Sequence, residues 1–281
     1  MWRLCFVVLC LILSAESFLF SQSVKAKNWA SKADTLFSQE KFQDASELLS
    51  RAIKSTKLRN DQTVTWFYKR SLCYFYLQEY NKALNDLEVV SAQSSKFPSI
   101  NLIKAFIYKA LGDQAQELSH LEKAIDSLSM PSPEINRWYG ILLFKNEEFA
   151  KAKNILSELA KVRDDAEIEM YIGVCFQQQS QYDSAIISFN KSIGMDAINS
   201  QAFIFAGQIF LEKGVYNMAI KYFNLALRID PTVKEAIFLK GIAFVELKNL
   251  DYGCQLLNRA FYSGYDEAAD YLKEYCFHID E

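Results

Sequence analysis

The strongest constraint on this chain of 281 residues is a spacing. An aromatic or apolar lead at Phe42, Tyr80, Gln114, Phe149, Tyr182, Tyr216 and Leu250 is followed three residues later by Ala45, Ala83, Glu117, Ala152, Ala185, Ala219 and Gly253. Four residues on stand Leu49, Leu87, Leu121, Leu156, Phe189, Phe223 and Leu257, and three further Ala52, Val90, Ala124, Leu159, Ser192, Ala226 and Ala260. The steps between copies are 38, 34, 35, 33, 34 and 34 residues. A period of this length marks a repeat architecture. Spacings of three and four put each set on one helical stripe.

A second stripe precedes each copy: Ala33, Ser71, Ala105, Gly140, Gly173, Gly207 and Gly241, then three residues later Leu36, Tyr74, Tyr108, Leu143, Phe176, Phe210 and Phe244. Each repeat therefore reads as helix, turn, helix, with "LGD" at 111–113, "EKG" at 212–214 and "LKN" at 247–249 as turns in which Gly or Asn ends the first helix. Two helices cannot bury both stripes alone, so each pair needs the next against it. Small rows allow close approach, with Ala219 expected to face Gly207 and Tyr216 and Phe223 to fill the space beside them. Ala219→Leu is expected to overpack this contact by about 1–3 kcal/mol, read as a lower melting temperature.

Composition agrees. Twenty-one Phe and 15 Tyr against 9 Gly and 4 Pro favour long helices over a turn-rich sheet protein. A net charge of -3 with both signs interleaved offers no basic field for nucleic acid or for an anionic membrane surface. The first 23 residues differ: one Arg, an apolar run from Leu4 to Leu13, then small and polar residues, the layout of a secretory signal peptide. Glu16 stops the run short of the about 20 residues needed to span a bilayer. Cleavage is expected after Ser21–Ser23 rather than Ala15–Ser17, leaving no stable membrane insertion.

With the period, the small rows and the aromatic rows on the page, the chain resembles a tetratricopeptide-repeat (TPR) protein, most closely in "FAGQIFLEKGVYNMAIKYFNLALRIDP". The resemblance implies an all-α, right-handed superhelix of antiparallel helix pairs. Seven repeats are expected at about 26–59, 64–97, 98–131, 133–165, 166–199, 200–233 and 234–264, with 265–281 a capping helix and tail. Repeat three departs most, with Gln114 and Glu117 where the family favours an aromatic and Ala. Pro131 and Pro133 disfavour helix locally.

Chemistry finds little support. His120 and His278 stand alone, expected to face solvent, and no phosphate loop, nucleophile elbow or metal-ligand spacing is present. No enzyme, cofactor or metal is therefore expected. Cys73 and Cys175, in repeats two and five, are too far apart to bridge and read as buried thiols. Cys254 and Cys276 lie on neighbouring helices, where either a disulfide or two thiols is compatible with the spacing. In TPR proteins the first helices line a concave surface, and the positions expected there are Tyr68, Phe75, Phe106, Trp138, Ile141, Tyr171, Val174, Phe205 and Phe238. The family's basic clamp for chaperone C-termini is replaced by Ala30, Asp34, Lys69, Ser99 and Ile103. The resemblance thus implies an exported, non-catalytic scaffold of the cell envelope that holds a protein or peptide in an apolar groove. The alternative is a TPR-based glycan-capture protein stacking sugar on Trp138 and Tyr171.

Overall fold

The computed structural model describes residues 24–56, 60–93, 96–127 and 131–276, and among them every regular element is a helix. The expected signal peptide and His278 lie outside the described residues. Two compact units divide the chain at Met130 and Pro131. The first holds α1 (24–38), α2 (Phe42–Ser55), α3 (Asp61–Tyr76), α4 (Tyr80–Gln93), α5 (Ile100–Leu111) and α6 (Gln114–Ser127). The second holds α7 (Pro133–Lys145), α8 (Phe149–Ala160), α9 (Ala166–Gln178), α10 (Tyr182–Met195), α11 (Ser200–Glu212), α12 (Tyr216–Ile229), α13 (Lys234–Glu246), α14 (Leu250–Tyr262) and α15 (Ala268–Tyr275). Pro133 starts α7 rather than breaking a helix: it occupies the first turn, where its missing N–H costs nothing, and the Ser132 hydroxyl accepts from Ile135 N–H.

The rows read from the sequence are the core. Leu49, Leu87, Leu121, Leu156, Phe189, Phe223 and Leu257 are all at most 1% exposed. The glycines set how closely the helices approach: a Cβ added to Gly173 would lie 2.5 Å from Phe189, and one on Gly207 2.5 Å from Phe223. The nearest atoms to Gly207 are those of the Phe223 ring, so the large residue of the jigsaw sits directly on the small one. Gly253 is in turn backed by Val245 and the Gly241 carbonyl, so small rows face each other there.

Every turn inside a pair is built alike. Glu40, Gln78, Gly112, Glu147, Ser180, Gly214 and Lys248 each take a positive φ, between 58° and 75°. The next residue's N–H returns to the first helix, as in Glu79 N–H to Tyr74 C=O at 2.8 Å and Val215 N–H to Phe210 C=O at 2.8 Å. This is the Schellman closure, which satisfies carbonyls that a helix end would otherwise orphan. Only two of the seven use Gly. The sequence expectation that Asn ends α13 is corrected: Lys248 is the left-handed residue, and Asn249 caps α14 by accepting from Tyr252 N–H.

In the first unit a buried ion pair ties the helices together. Arg70 reaches Asp86 through two bonds of 2.7 Å and donates to the Ser50 hydroxyl at 3.0 Å, with its guanidinium over the rings of Phe67 and Tyr74. His120 is half-buried rather than solvent-facing: its ring stacks on Tyr108 and its Nδ1 lies 3.2 Å from the Asn101 side-chain oxygen. Burial, aided by Lys104 and Lys123, pushes its pKa down.

Candidate functional site

In the second unit each second helix packs on the first helix of the next pair, and the first helices α7, α9, α11, α13 and the final α15 also touch one another in succession. First helices therefore form the inner side of this unit. Their buried stripe is spent on packing, and what remains exposed is available to a ligand.

The nine aromatic and apolar positions expected to line a groove have several fates. In the first unit Tyr68 stacks on Phe97 and its hydroxyl lies 2.8 Å from the Ser99 hydroxyl, Phe75 packs edge-on to Tyr76, and Phe106 is 42% exposed. In the second unit Trp138 and Ile141 are half-buried on α7. Tyr171 leans on Phe144, and Phe205 stacks on the buried Phe189. Val174 is 9% and Phe238 6% exposed, and Phe238 is covered by Tyr265 and Tyr271 at ring distances of 4.8 and 5.3 Å. Val174 and Phe238 thus belong to the core, and the remaining positions are half-buried or exposed.

Between these apolar positions runs a polar ladder that the sequence reading missed. Asp165 caps α9 by accepting from Glu167 and Ile168 N–H, and Arg137 from α7 donates to both Asp165 and Glu167. The Tyr171 hydroxyl donates to Glu167 at 3.3 Å, and burial with that carboxylate raises its pKa. Further along, Gln208 and Gln201 donate their amides to Glu235 at 2.9 and 3.5 Å, and Gln177 donates to Glu212 at 3.3 Å. Off the first helices, the Tyr216 hydroxyl at the start of α12 donates to Glu246 at 3.4 Å. Tyr265 has its pKa raised by burial and then by Glu235 and Glu267. Tyr275 has its pKa raised first by the Glu274 hydrogen bond, with Glu246 adding to it. The periodic signal was present: Gln201, Glu235 and Glu167 occupy the same place in successive first helices, 34 residues apart.

Chemically this inner side offers phenol and amide donors, carboxylate acceptors and half-buried rings. Cys73 and Cys175 are buried and their thiols are pushed up to about 12 by burial, so neither is a ready nucleophile. Among the described residues no group of three or more His, Cys, Asp or Glu side chains is placed to hold a metal. No described helix is long and apolar enough to cross a membrane. The "NKS" at 190–192 has its Ser192 hydroxyl buried on the Ala166 carbonyl, at 2.7 Å.

An all-helical stack of antiparallel pairs with such a face defines a helical-repeat binding protein. Residues 139–198 and 200–233 each match a tetratricopeptide-repeat family model, so the second unit carries repeats of this family. No curated protein matches the sequence. Among solved structures it is similar to YrrB, a TPR protein with an unusual peptide-binding site: 19% identity over 69% of this chain and 98% of that one, TM-score 0.58. It is also similar to PilW, a type IV pilus biogenesis factor, at 18% identity over 76% of this chain and 100% of that one, TM-score 0.55. The C-terminal part of a TPR protein from Cytophaga hutchinsonii gives 13% identity, 85% and 98% coverage and a TM-score of 0.60. At these identities the likeness is one of fold. Proteins of this family are in general interaction scaffolds rather than catalysts.

Proposed function

We propose that the protein is an exported, non-catalytic scaffold that holds a polypeptide segment on the inner side of its second unit. The observation that carries this reading is the ladder of first helices. The buried rows satisfy packing, while Trp138, Tyr171, Gln201, Gln208 and Glu235 stand between them on α7, α9, α11 and α13 with polar or aromatic surface left over. A peptide suits this mixture: its amides meet the carboxylates and glutamines, and its side chains enter beside the rings. Preorganisation by stacked helices keeps the ordering cost of binding low. Export is supported by the composition of residues 1–23 and by the Cys254–Cys276 disulfide, a bond at home in oxidising compartments. Placement in the cell envelope belongs to the same reading.

A photo-crosslinking residue placed at Gln208 in the mature protein, in its native cell, is expected to capture a discrete polypeptide, whereas the same probe at the exposed Ile187 of α10 captures none. Trp138→Ala with Tyr171→Ala is expected to abolish the Gln208 adduct with unchanged helical circular dichroism. Full retention of the adduct, or capture only from Ile187, would move the site off the inner side. Glycan-array binding lost in the same double variant would favour the sugar-capture alternative instead.

A further inference from the structure

We infer that the Cys254–Cys276 disulfide is a redox latch on α15, the last described helix of the second unit. The bond joins positions 22 residues apart with Cα atoms at 5.8 Å. Cys276 directly follows the last residue of α15, so the bond clamps the end where the chain would otherwise fray. Without it α15 is weakly held. It has eight residues, its N-cap Glu267 makes no side-chain cap bond, and helices this short are not stable by themselves. Only Ala268 and Leu272 are fully buried, and Tyr271 and Tyr275 are half-buried.

The other described cysteines do not compete for the bond. Cys73 and Cys175 are buried thiols with pKa values pushed up to about 12, so they hold almost no thiolate to attack it. Cys254 and Cys276 are half-buried and reachable. Opening therefore needs an external dithiol. Its thiolate attacks one sulfur, the other cysteine leaves as thiolate, and the second thiol of the reductant displaces the remaining cysteine. Two electrons and two protons pass to Cys254 and Cys276, and the reductant departs as its own disulfide.

For a loop of this size, loss of the bond raises the population of undocked α15 by about 100-fold. Undocking withdraws Tyr271 from Phe238 and Tyr275 from the neighbourhood of Glu246, and it takes Ala268 and Leu272 out of the core cluster they share with Ile242 and Leu256. The latch itself stands apart from the proposed scaffold role; its effect on a ligand rests on that role.

Hydrogen exchange read by mass spectrometry on the full mature chain, with and without dithiothreitol, tests it. Protection of residues 268–276 is expected to fall about 100-fold on reduction while α11 and α12 keep theirs, and Cys254→Ser with Cys276→Ser is expected to reproduce the reduced pattern without reductant. Equal protection of α15 in both states overturns the latch. So does loss of protection throughout α9–α14, which would make the bond a general staple, and so does an unreduced protein whose mass shows both thiols free. Failure of the Gln208 crosslink would leave these exchange results as they stand.

Discussion

Phe223→Ala is expected to lower stability by about 3–5 kcal/mol, seen as a reduced urea midpoint for the second unit. Phe223 is completely buried, and its ring lies over Gly207, where even one added carbon would come within 2.5 Å. Removing the ring leaves a void that neither glycine nor the fixed α11 backbone can fill, so the transfer loss and the cavity term add. A stack distributes stability between neighbours, so the damage is expected to concentrate in α9–α14. Exchange protection in those helices should fall while α3 and α4 are unaffected. A midpoint shift below that of a surface substitution in α12 would show that Phe223 is not the filler of this contact.

Asp86→Ala carries an expected loss of similar size, about 3–5 kcal/mol, in the first unit. The Arg70 and Asp86 side chains are only 15% and 7% exposed, so truncation leaves a buried guanidinium with the Ser50 hydroxyl and the faces of Phe67 and Tyr74 but no carboxylate. Replacing both partners with leucine should cost much less, because it removes the buried charges together. Titration sharpens the test. Burial outweighs the attraction of Arg70 and raises the pKa of Asp86 above the ordinary carboxylate range. Because the folded state then holds its proton more tightly than the unfolded chain, this group favours the fold at low pH. That contribution declines as pH rises from the ordinary carboxylate pKa through the raised one. Urea unfolding across the acid range should show this slope in the wild type and lose it in Asp86→Asn. An opposite slope would mean that the pair more than repays its desolvation.

Much of the fold was legible because packing repeats. Leu121 and Ala124 fall in the core even in the repeat with Gln114 and Glu117, since the period fixes their helix face whatever the divergent lead residues do. The turns were half legible: Gly112 and Gly214 announce a left-handed residue, but Gln78, Ser180 and Lys248 adopt one with no compositional signal, because the closing hydrogen bond and the packed helices impose it. The candidate site was the least legible. Periodicity gives the face of a helix, not what folds across it. Phe238 has the placement of a groove residue and is hidden by Tyr265 and Tyr271 from beyond its own repeat. Phe205 is drawn against Phe189 by the neighbouring pair. The Gln208–Glu235 bond joins residues in different repeats and needs the stacking of α11 on α13 to be seen.

The repeated turn has one more consequence. At Glu40, Gln78, Glu147, Ser180 and Lys248 the backbone holds the same shape under two acids, two neutral polar groups and a base. Geometry and chemistry are thus decoupled at one point per repeat. The joint is a fixed key in each repeat, while the character it carries is free to change.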